Sequence, residues 1–133
     1  MVNITRFKAK HRKTLLELNA SNGIAVHPLT IETLPKIGFI VFSVDQYEYI
    51  AAGFLRKVEG GFGQIDSLVT NKNSPSETRA QAIDMLVDAL INEAKSLKLK
   101  GIMAFTYEDS IVERAEARGF KLNTQIIITK SLI

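Results

Sequence analysis

The sequence predicts an α/β fold, in which residues 1–133 form a single domain around a mixed, mostly antiparallel sheet. Two observations support this prediction. Three strand-like segments follow one another between residues 37 and 70 with short turns between them, which is typical of an antiparallel meander. A long amphipathic helix and another apolar segment come next, and a strand–helix–strand unit of this length implies a right-handed parallel βαβ crossover.

Length and composition are those of an ordinary globular protein. The 133 residues can bury a real core, and 46% of them are hydrophobic. There is no Cys, so disulfides, thiolate metal sites and a Cys nucleophile are excluded. His11 and His27 lie in no metal-like pattern, and we expect both at the surface and no metal site.

Charge and hydropathy exclude two classes of partner. The net charge of +3 is too small to indicate a nucleic-acid-binding protein. No apolar run reaches the roughly 18 residues that a membrane span needs. The N-terminus carries charge without a following apolar block, unlike a signal peptide. We therefore expect a cytoplasmic protein that binds neither nucleic acid nor membrane.

The first half of the chain predicts a strand, a helix and then the meander. Val2, Ile4 and Phe7 are typical of a short strand, and the helix expected over residues 10–20 ends near Asn22-Gly23, a common C-terminal stop. Residues 30–34, between two prolines, make at most a helical turn. The meander strands are expected at 37–44, 49–58 and 62–70.

The second half predicts the crossover and a closing strand. Apolar residues recur at helical spacing from Ile83 to Leu97, and Lys100-Gly101 ends that helix. A buried-type strand is expected at 102–107. A shorter helix then begins at Asp109 or Ser110 and ends at Gly119. The last strand is expected within residues 120–132.

The polar turn before the long helix allows two interpretations. A strand that runs through a turn into a helix directs backbone N–H groups beyond its end, where open α/β sheets bind anions. In one interpretation, Ser74 is the N-cap, Pro75 the first helical residue and Glu77 closes a capping box, so the helix satisfies its own N–H groups. In the other, the helix begins nearer Arg79 and its first N–H groups are free.

Four local patterns, in this order and spacing, are similar to those of one known family. IDSLVTN at 65–71 is similar to its fourth strand, and AAGF at 51–54 to its third. DALINEAK at 88–95 is similar to its long helix, and RGF at 118–120 to its late Gly-Phe pair. Over nearly its whole length the chain thus resembles the GNAT superfamily of acyl-CoA N-acyltransferases, which implies a GNAT-like fold.

The resemblance implies transfer of an acetyl group from acetyl-CoA, as co-substrate, to a primary amine of a small molecule or protein. In this chemistry a backbone N–H stabilises charge that develops on the thioester carbonyl, and Leu68 is the candidate by its position on the strand. N–H groups at the helix start hold the pyrophosphate, and the cleft between the fourth and fifth strands takes the pantetheine arm. The implied cofactor-binding residues are Leu68, Val69, Thr70, Arg79, Ala80, Gln81, Ala82 and Ile83.

The implied proton transfers need a base and an acid. Asp66 is the preferred base, because strand alternation puts its side chain on the same face as that of Leu68. Glu108 is the less favoured base. A purely structural role for Asp66, as a hydrogen-bonded strand carboxylate, is equally consistent with the sequence. Tyr107 or Ser110 would protonate the departing thiolate, since Ala115 stands where the family usually has its Tyr.

Departures from the family pattern favour a different class of function. Ala82 and Asp84 stand at the two small-residue positions of the cofactor loop, which in the family let the backbone approach the pyrophosphate. The alternative is therefore a GNAT-fold module without transfer activity that binds acyl-CoA or a protein partner.

A third interpretation is a docking domain that uses the last strand, whose apolar IIIT segment would also suit a homodimer. The acceptor depends on loops at 29–36 and 43–48, whose sequence does not identify it.

Overall fold

A five-stranded sheet forms the centre of the protein in the computed structural model, which describes residues 1–45, 47–106, 109–123 and 128–132. The strands of this described part are β1 (Val2–Arg6), β2 (Ile37–Ser43), β3 (Glu48–Val58), β4 (Phe62–Thr70) and β5 (Gly101–Ala104). The helices are α1 (Arg12–Ser21), α2 (Pro28–Glu32), α3 (Ser76–Ser96) and α4 (Asp109–Glu116). A 3₁₀ turn at Ala9–His11 leads into α1.

The strands lie in sequence order, from β1 at one edge to β5 at the other. Neighbours from β1 to β4 are antiparallel, whereas β4 and β5 are parallel and joined through α3. This arrangement confirms the predicted α/β fold with its mostly antiparallel sheet and single parallel crossover. The β4–β5 pairing ends where Ile65 faces Ala104, so β4 continues to Thr70 beyond the end of β5.

Helices cover both faces of the sheet. The spacing of apolar residues in α3 places Leu86 and Leu90, both fully buried, against one face together with Val41 and Ile65. The other face packs against α1 through a second cluster of buried residues, namely Leu15, Leu18, Ile40, Ala52, Phe54 and Val69. Each fully buried Leu contributes roughly 1.5–3 kcal/mol, so the two clusters fix the helices on the sheet. Among the described residues, none of the helices has both the length and the apolar character needed to cross a membrane.

The predicted elements match the structure closely in the middle of the chain and less well near its end. The strand predicted at 62–70 has the bounds of β4, and the turn expected at 30–34 is the short helix α2. The fifth strand ends at Ala104 rather than at residue 107. Residues 120–123 and 128–132 carry no strand, and residues 124–127 of the predicted last strand lie outside the described part.

Two glycines of the sheet lie beside aromatic rings, one buried and one exposed. A Cβ at Gly38 would lie 2.6 Å from Cε1 of Phe54, which is 1% exposed, so neither group can move aside. A Cβ at Gly101 would lie 2.7 Å from Cε1 of Phe62, which is 42% exposed and can rotate towards solvent.

Gly38→Ala should lower the free energy of unfolding by about 1–3 kcal/mol, because it overpacks the core. Gly101→Ala, the matched control, should stay within about 0.5 kcal/mol of the wild type. Urea denaturation of the two variants measures the difference. Equal losses of stability would contradict the packing around Phe54.

Candidate active site

A β-bulge interrupts β4 where the strand passes the end of β5. The register between β3 and β4 shifts between Ala52 and Phe54, so that Gly53 faces both Ser67 and Leu68. Ser67 has a φ of 53°, in the left-handed region that an L-residue seldom occupies. An extra residue of this kind bends a strand and re-aims the side chains that follow it.

The bulge reverses the alternation of side chains along β4. Ile65 and Leu68 both pack with the α3 cluster, although they are three positions apart, an odd number that would put them on opposite faces of a regular strand. Val69 packs with the α1 cluster. Asp66 pairs with Phe54, whose ring also belongs to the α1 cluster. The predicted common face for Asp66 and Leu68 is therefore wrong, because strand alternation does not continue through the bulge.

Leu68 keeps its candidate role as a main-chain donor despite this reversal. Backbone N–H groups lie in the plane of a sheet, so the face on which a side chain lies does not decide what the N–H can reach. In the described part, neither Ser67 nor Leu68 has a register partner in β3 or β5. The main chain of β4 is thus irregular at the point where the sheet opens.

Asp66 is held by an arginine of the neighbouring strand. Arg56 donates from Nε and Nη2 to Oδ2 of Asp66, at 2.9 and 2.8 Å. The Ser67 hydroxyl donates to Oδ1 at 3.2 Å, and Arg56 also reaches the backbone oxygen of Thr33 at 3.2 Å. Asp66 is therefore a hydrogen-bonded strand carboxylate whose Oδ1, with only a rotatable hydroxyl partner, is the more available oxygen for a proton.

Hydrogen bonds from two other elements fix the loop between β4 and α3. The Asn71 side chain donates from Nδ2 to Oε1 of Glu48 at 3.0 Å and to the backbone oxygen of Tyr49 at 3.3 Å. The Lys72 backbone N–H donates to Oγ of Ser21, the last residue of α1, at 3.1 Å. The loop is thereby anchored to the β2–β3 hairpin and to α1, and it holds the start of α3 in place.

α3 begins at Ser76 without a side-chain cap. Pro75 is the N-cap, with an extended ψ of 144°, and no side chain accepts a hydrogen bond there. The predicted capping box, with Ser74 as its N-cap, is therefore wrong. The Arg79 N–H already bonds to the Pro75 oxygen at 3.0 Å, so the uncapped donors of the first turn belong to residues 76–78.

Two buried polar atoms at this helix start have no hydrogen-bond partner in the described part of the protein. They are Oγ of Ser74, a residue only 4% exposed, and Nε of Arg79. Leaving a buried donor unsatisfied costs about 1–3 kcal/mol. A hydroxyl, a guanidinium N–H and uncapped helix N–H groups together form a donor set that suits an anionic oxygen group such as a pyrophosphate.

The other predicted cofactor-binding residues lie deeper in the helix or along the strand. Ala82 and Ile83 are buried in α3, and Ala82 belongs to the core cluster of that face. Ala80 is half-buried and Gln81 is exposed. From Ala80 onwards the helix N–H groups lie past its first turn, where intrahelical bonds use them. Val69 is buried on the α1 face, and Thr70 pairs with Ala51.

Two carboxylates of α3 that follow this turn, Asp84 and Asp88, form ion pairs with one arginine of α4 and one just beyond its end. Arg114 contacts Oδ1 of Asp84 at 3.1 Å, and Arg118 contacts the same oxygen at 3.2 Å. Arg118 also donates from Nε to Asp88 at 2.9 Å, and this hydrogen bond is the main reason why the pKa of Arg118 is raised. Asp84, at the second small-residue position of the family loop, is therefore engaged in ion pairs that offset its charge.

The structure does not describe the side chains of three residues that were predicted to take part in proton transfer. Tyr107 and Glu108 lie outside the described residues, and Ser110 lies in α4 but its side chain is not described. Their proposed roles in proton transfer stay predictions.

Sequence patterns did not identify several groups of interest. His11 is only 4% exposed, so its predicted surface position is wrong, whereas His27 is exposed as expected. His11, Leu15 and Leu18 are spaced by four and three residues, and this helical pattern could have predicted the burial. The pairing of Arg56 with Asp66 depends on the β3–β4 register, which no local pattern contains.

Comparison with known proteins gives structural likenesses only. No family model matches the sequence, and no curated protein matches it. The ribosomal-protein-S18-alanine N-acetyltransferase from Escherichia coli superposes with a TM-score of 0.76 at 11% identity, covering 93% of this chain and 80% of that one. A GNAT-family acetyltransferase from Staphylococcus aureus Mu50 gives 0.68 at 13% identity, covering 90% and 81%.

A third solved structure contains CoA. The Mycobacterium tuberculosis protein Rv2747, solved in complex with CoA and a second ligand, superposes with a TM-score of 0.70 at 17% identity, covering 86% of this chain and 70% of that one. At these identities the likeness shows the fold. The chain has the fold of the GNAT acetyltransferases, and the resemblance drawn from its sequence is confirmed at that level.

Ser74→Ala tests whether this hydroxyl caps α3. Because the Ser74 Oγ is buried without a partner, its removal should leave the free energy of unfolding within about 0.5 kcal/mol of the wild type, or raise it. An N-cap serine would instead cost about 1 kcal/mol. Chemical denaturation measures this difference, with Ser96→Ala at the other end of α3 as the control. A loss of about 1 kcal/mol in the Ser74→Ala variant would show that Ser74 is the N-cap after all.

Proposed function

We propose that this protein is an N-acetyltransferase that moves an acetyl group from acetyl-CoA to a primary amine of a small molecule or protein. The observation that carries the proposal is a pair of buried polar atoms at the uncapped start of α3, Ser74 Oγ and Arg79 Nε, which have no hydrogen-bond partner among the residues that the structure describes. Buried side-chain polar atoms in folded proteins almost always have a hydrogen-bond partner, and an anionic ligand at this helix end would supply one. The position of this pair after β4 is where the GNAT fold leads us to expect a pyrophosphate.

The start of α3 supplies the donors for that pyrophosphate. We assign the contacts to the N–H groups of residues 76–78, the Ser74 hydroxyl and the Arg79 guanidinium, with the positive end of the helix dipole behind them. Glu77, the acidic residue of the first turn, opposes this binding. Asp84 opposes it less, because Arg114 and Arg118 offset its charge. These assignments keep Arg79 from the predicted set, Arg79 to Ile83, and replace the rest of it with groups about one turn earlier in the chain.

The stretch of β4 that continues beyond the end of β5 is the proposed site of transfer. Acetyl-CoA supplies the acetyl group as a thioester, the amine nitrogen forms a bond to its carbonyl carbon, and the C–S bond breaks to release a thiolate. We assign the Leu68 N–H to the carbonyl oxygen, where it would stabilise the developing negative charge. The bulge at Ser67 supports this assignment, because it takes Leu68 out of the regular β3–β4 register.

We assign proton removal from the amine to Asp66. The Arg56 guanidinium occupies Oδ2, so Oδ1 is the oxygen for this step, after rotation of the Ser67 hydroxyl or through a water molecule. Asp66 lies on the α1 face, so we assign the amine to that side of the sheet. A cytoplasmic location and a homodimer stay predictions.

The Arg56–Asp66 pair favours a second candidate function. A carboxylate that accepts hydrogen bonds on both oxygens is satisfied as a structural group. A GNAT-fold module that binds acyl-CoA at the same α3 start, without transfer, would keep this pair for stability alone. The two candidates share the cofactor site and differ in whether Asp66 takes a proton.

Acetyl-CoA should bind the protein with micromolar affinity, because the start of α3 offers uncapped N–H groups, a hydroxyl and a guanidinium to its pyrophosphate. Arg79→Glu should weaken binding at least about 100-fold, since it replaces the proposed pyrophosphate cation with an anion. Lys13→Glu, which makes the same charge change on the exposed side of α1, should leave the affinity within about twofold of the wild type.

Isothermal titration calorimetry measures these affinities. Absence of binding by the wild type at millimolar acetyl-CoA would contradict both candidate functions. Equal losses in the two variants would contradict the assignment of Arg79.

Asp66→Asn tests transfer separately from binding. If Asp66 is the base, kcat should fall at least about 100-fold while the dissociation constant of acetyl-CoA stays unchanged. Release of free CoA thiol in the presence of a panel of primary amines measures transfer. Transfer that survives the substitution would exclude Asp66 as the base, and a wild type that binds acetyl-CoA but acetylates no amine would favour the module.

A further inference from the structure

A cavity of about 390 Å³ opens on the α1 face of the sheet, away from the proposed transfer site. It lies between the 3₁₀ turn before α1 and the β2–β3 hairpin. The residues that give it its chemistry are Lys8, Lys10, His11, Phe42, Tyr47 and Tyr49. Its size is at the lower end of the range of small-molecule sites, which is about 300–1,000 Å³.

His11 presents a fixed donor to this cavity. The Lys8 backbone N–H donates to Nδ1 of His11 at 2.9 Å, so in the neutral ring the proton lies on Nε2. His11 lines the cavity although the residue is only 4% exposed. The rings of Phe7 and Tyr49 hold the imidazole, with centroids 5.6 and 5.7 Å away.

The charges around the cavity favour an anion. Lys8 and Lys10 are exposed and line it. Burial is the main reason why the pKa of His11 is lowered, and the charges of Lys10 and Lys8 lower it further. Glu48 is the acidic residue of the described lining, and its Oε1 already accepts a hydrogen bond from Asn71. An anionic group would meet two ammonium groups and the imidazole N–H, and it would relieve the mutual repulsion of the two lysines.

The remaining walls favour a flat, apolar body next to that anionic group. The rings of Phe42 and Tyr49 meet edge to face, with centroids 6.3 Å apart, and both line the cavity. Tyr47, which is 94% exposed, adds a third ring at the mouth. Aromatic walls bury planar ligands with a favourable stacking or edge contact.

The cavity is separate from the proposed acetyl-transfer site. Tyr49 precedes Gly53, the residue opposite the bulge, by four positions in β3. At about 3.3 Å per residue this separation is roughly 13 Å along the strand, too far for a group held at His11 to react at Leu68.

We propose that this cavity binds a small ligand with an anionic oxygen group, a carboxylate or a phosphate, on a planar apolar body. The anion lies against Lys8, Lys10 and His11, and the body lies between the rings of Phe42 and Tyr49. The site does not depend on the proposed acetyltransferase function, and it needs no acetyl-CoA to form.

The probes are benzoate and phenyl phosphate. Benzamide serves as the neutral analogue, and inorganic phosphate as an anion without an aromatic ring. Two-dimensional NMR of the whole chain follows the His11 ring and the backbone signals of Lys8 and Tyr49 during titration. At least one of the two aromatic anions should saturate these signals at millimolar concentration or below. Benzamide and inorganic phosphate should bind at least about 10-fold more weakly.

The double variant Lys8→Gln/Lys10→Gln should weaken binding of the aromatic anion at least about 10-fold. Both side chains are exposed, so the variant should fold. The matched control is Arg12→Gln/Lys13→Gln, which removes the same charge from neighbouring exposed residues that do not line the cavity, and it should bind as the wild type does. His11→Gln, if circular dichroism shows it folded, should also lose affinity.

A stronger response to benzoate identifies a carboxylate ligand, and a stronger response to phenyl phosphate identifies a phosphate ester. The proposal is overturned if neither aromatic anion saturates, if inorganic phosphate binds as well as both, or if the two double variants weaken binding equally. Because acetyl-CoA is absent, none of these outcomes depends on transfer activity.

Discussion

The bulge at Ser67 is the constraint on which the candidate site depends. Because Gly53 faces two residues of β4, the side chains on either side of the bulge fall out of alternation, and Leu68 packs towards α3 while Asp66 lies on the α1 face. Gly53 tolerates this arrangement because it has no side chain. A Cβ at this position would lie 2.9 Å from Leu68 and 3.1 Å from Leu86. The end of β5 near the same point leaves the irregular main chain of β4 at an opening in the sheet.

The start of α3 decides between a cofactor site and a helix whose own side chains accept hydrogen bonds from its first N–H groups. Sequence alone allowed Ser74 and Glu77 to cap the helix, which would have left little for an external anion. The structure instead has Pro75 as the N-cap, and the buried Ser74 hydroxyl has no partner in the described part of the chain. The ion pairs of Asp84 with Arg114 and Arg118 weaken another electrostatic objection to an anion there. The loop before α3 is also rigid enough to keep these groups in place, since Asn71 and Lys72 tie it to the hairpin and to α1.

Sequence patterns predicted the elements better than the contacts between them. The meander, the crossover and β4 follow from local periodicity and turn residues, and they agree with the structure. The bulge could not be predicted, because Ser67 is an ordinary strand residue whose positive φ arises from the pairing of β3 with β4. The Arg56–Asp66 pair depends on the same register. The cavity at His11 joins the 3₁₀ turn to a hairpin more than 30 residues away, and only the folded chain brings these segments together.

The central claim is that the β4 bulge and the start of α3 form one acyl-CoA site. Backbone amide NMR during an acetyl-CoA titration tests it most directly, because each proposed donor N–H gives its own signal. We expect the largest shifts at the N–H groups of Leu68 and of residues 76–78, with saturation at a common dissociation constant. Unchanged signals at these positions, while acetyl-CoA perturbs another part of the protein, would contradict the account.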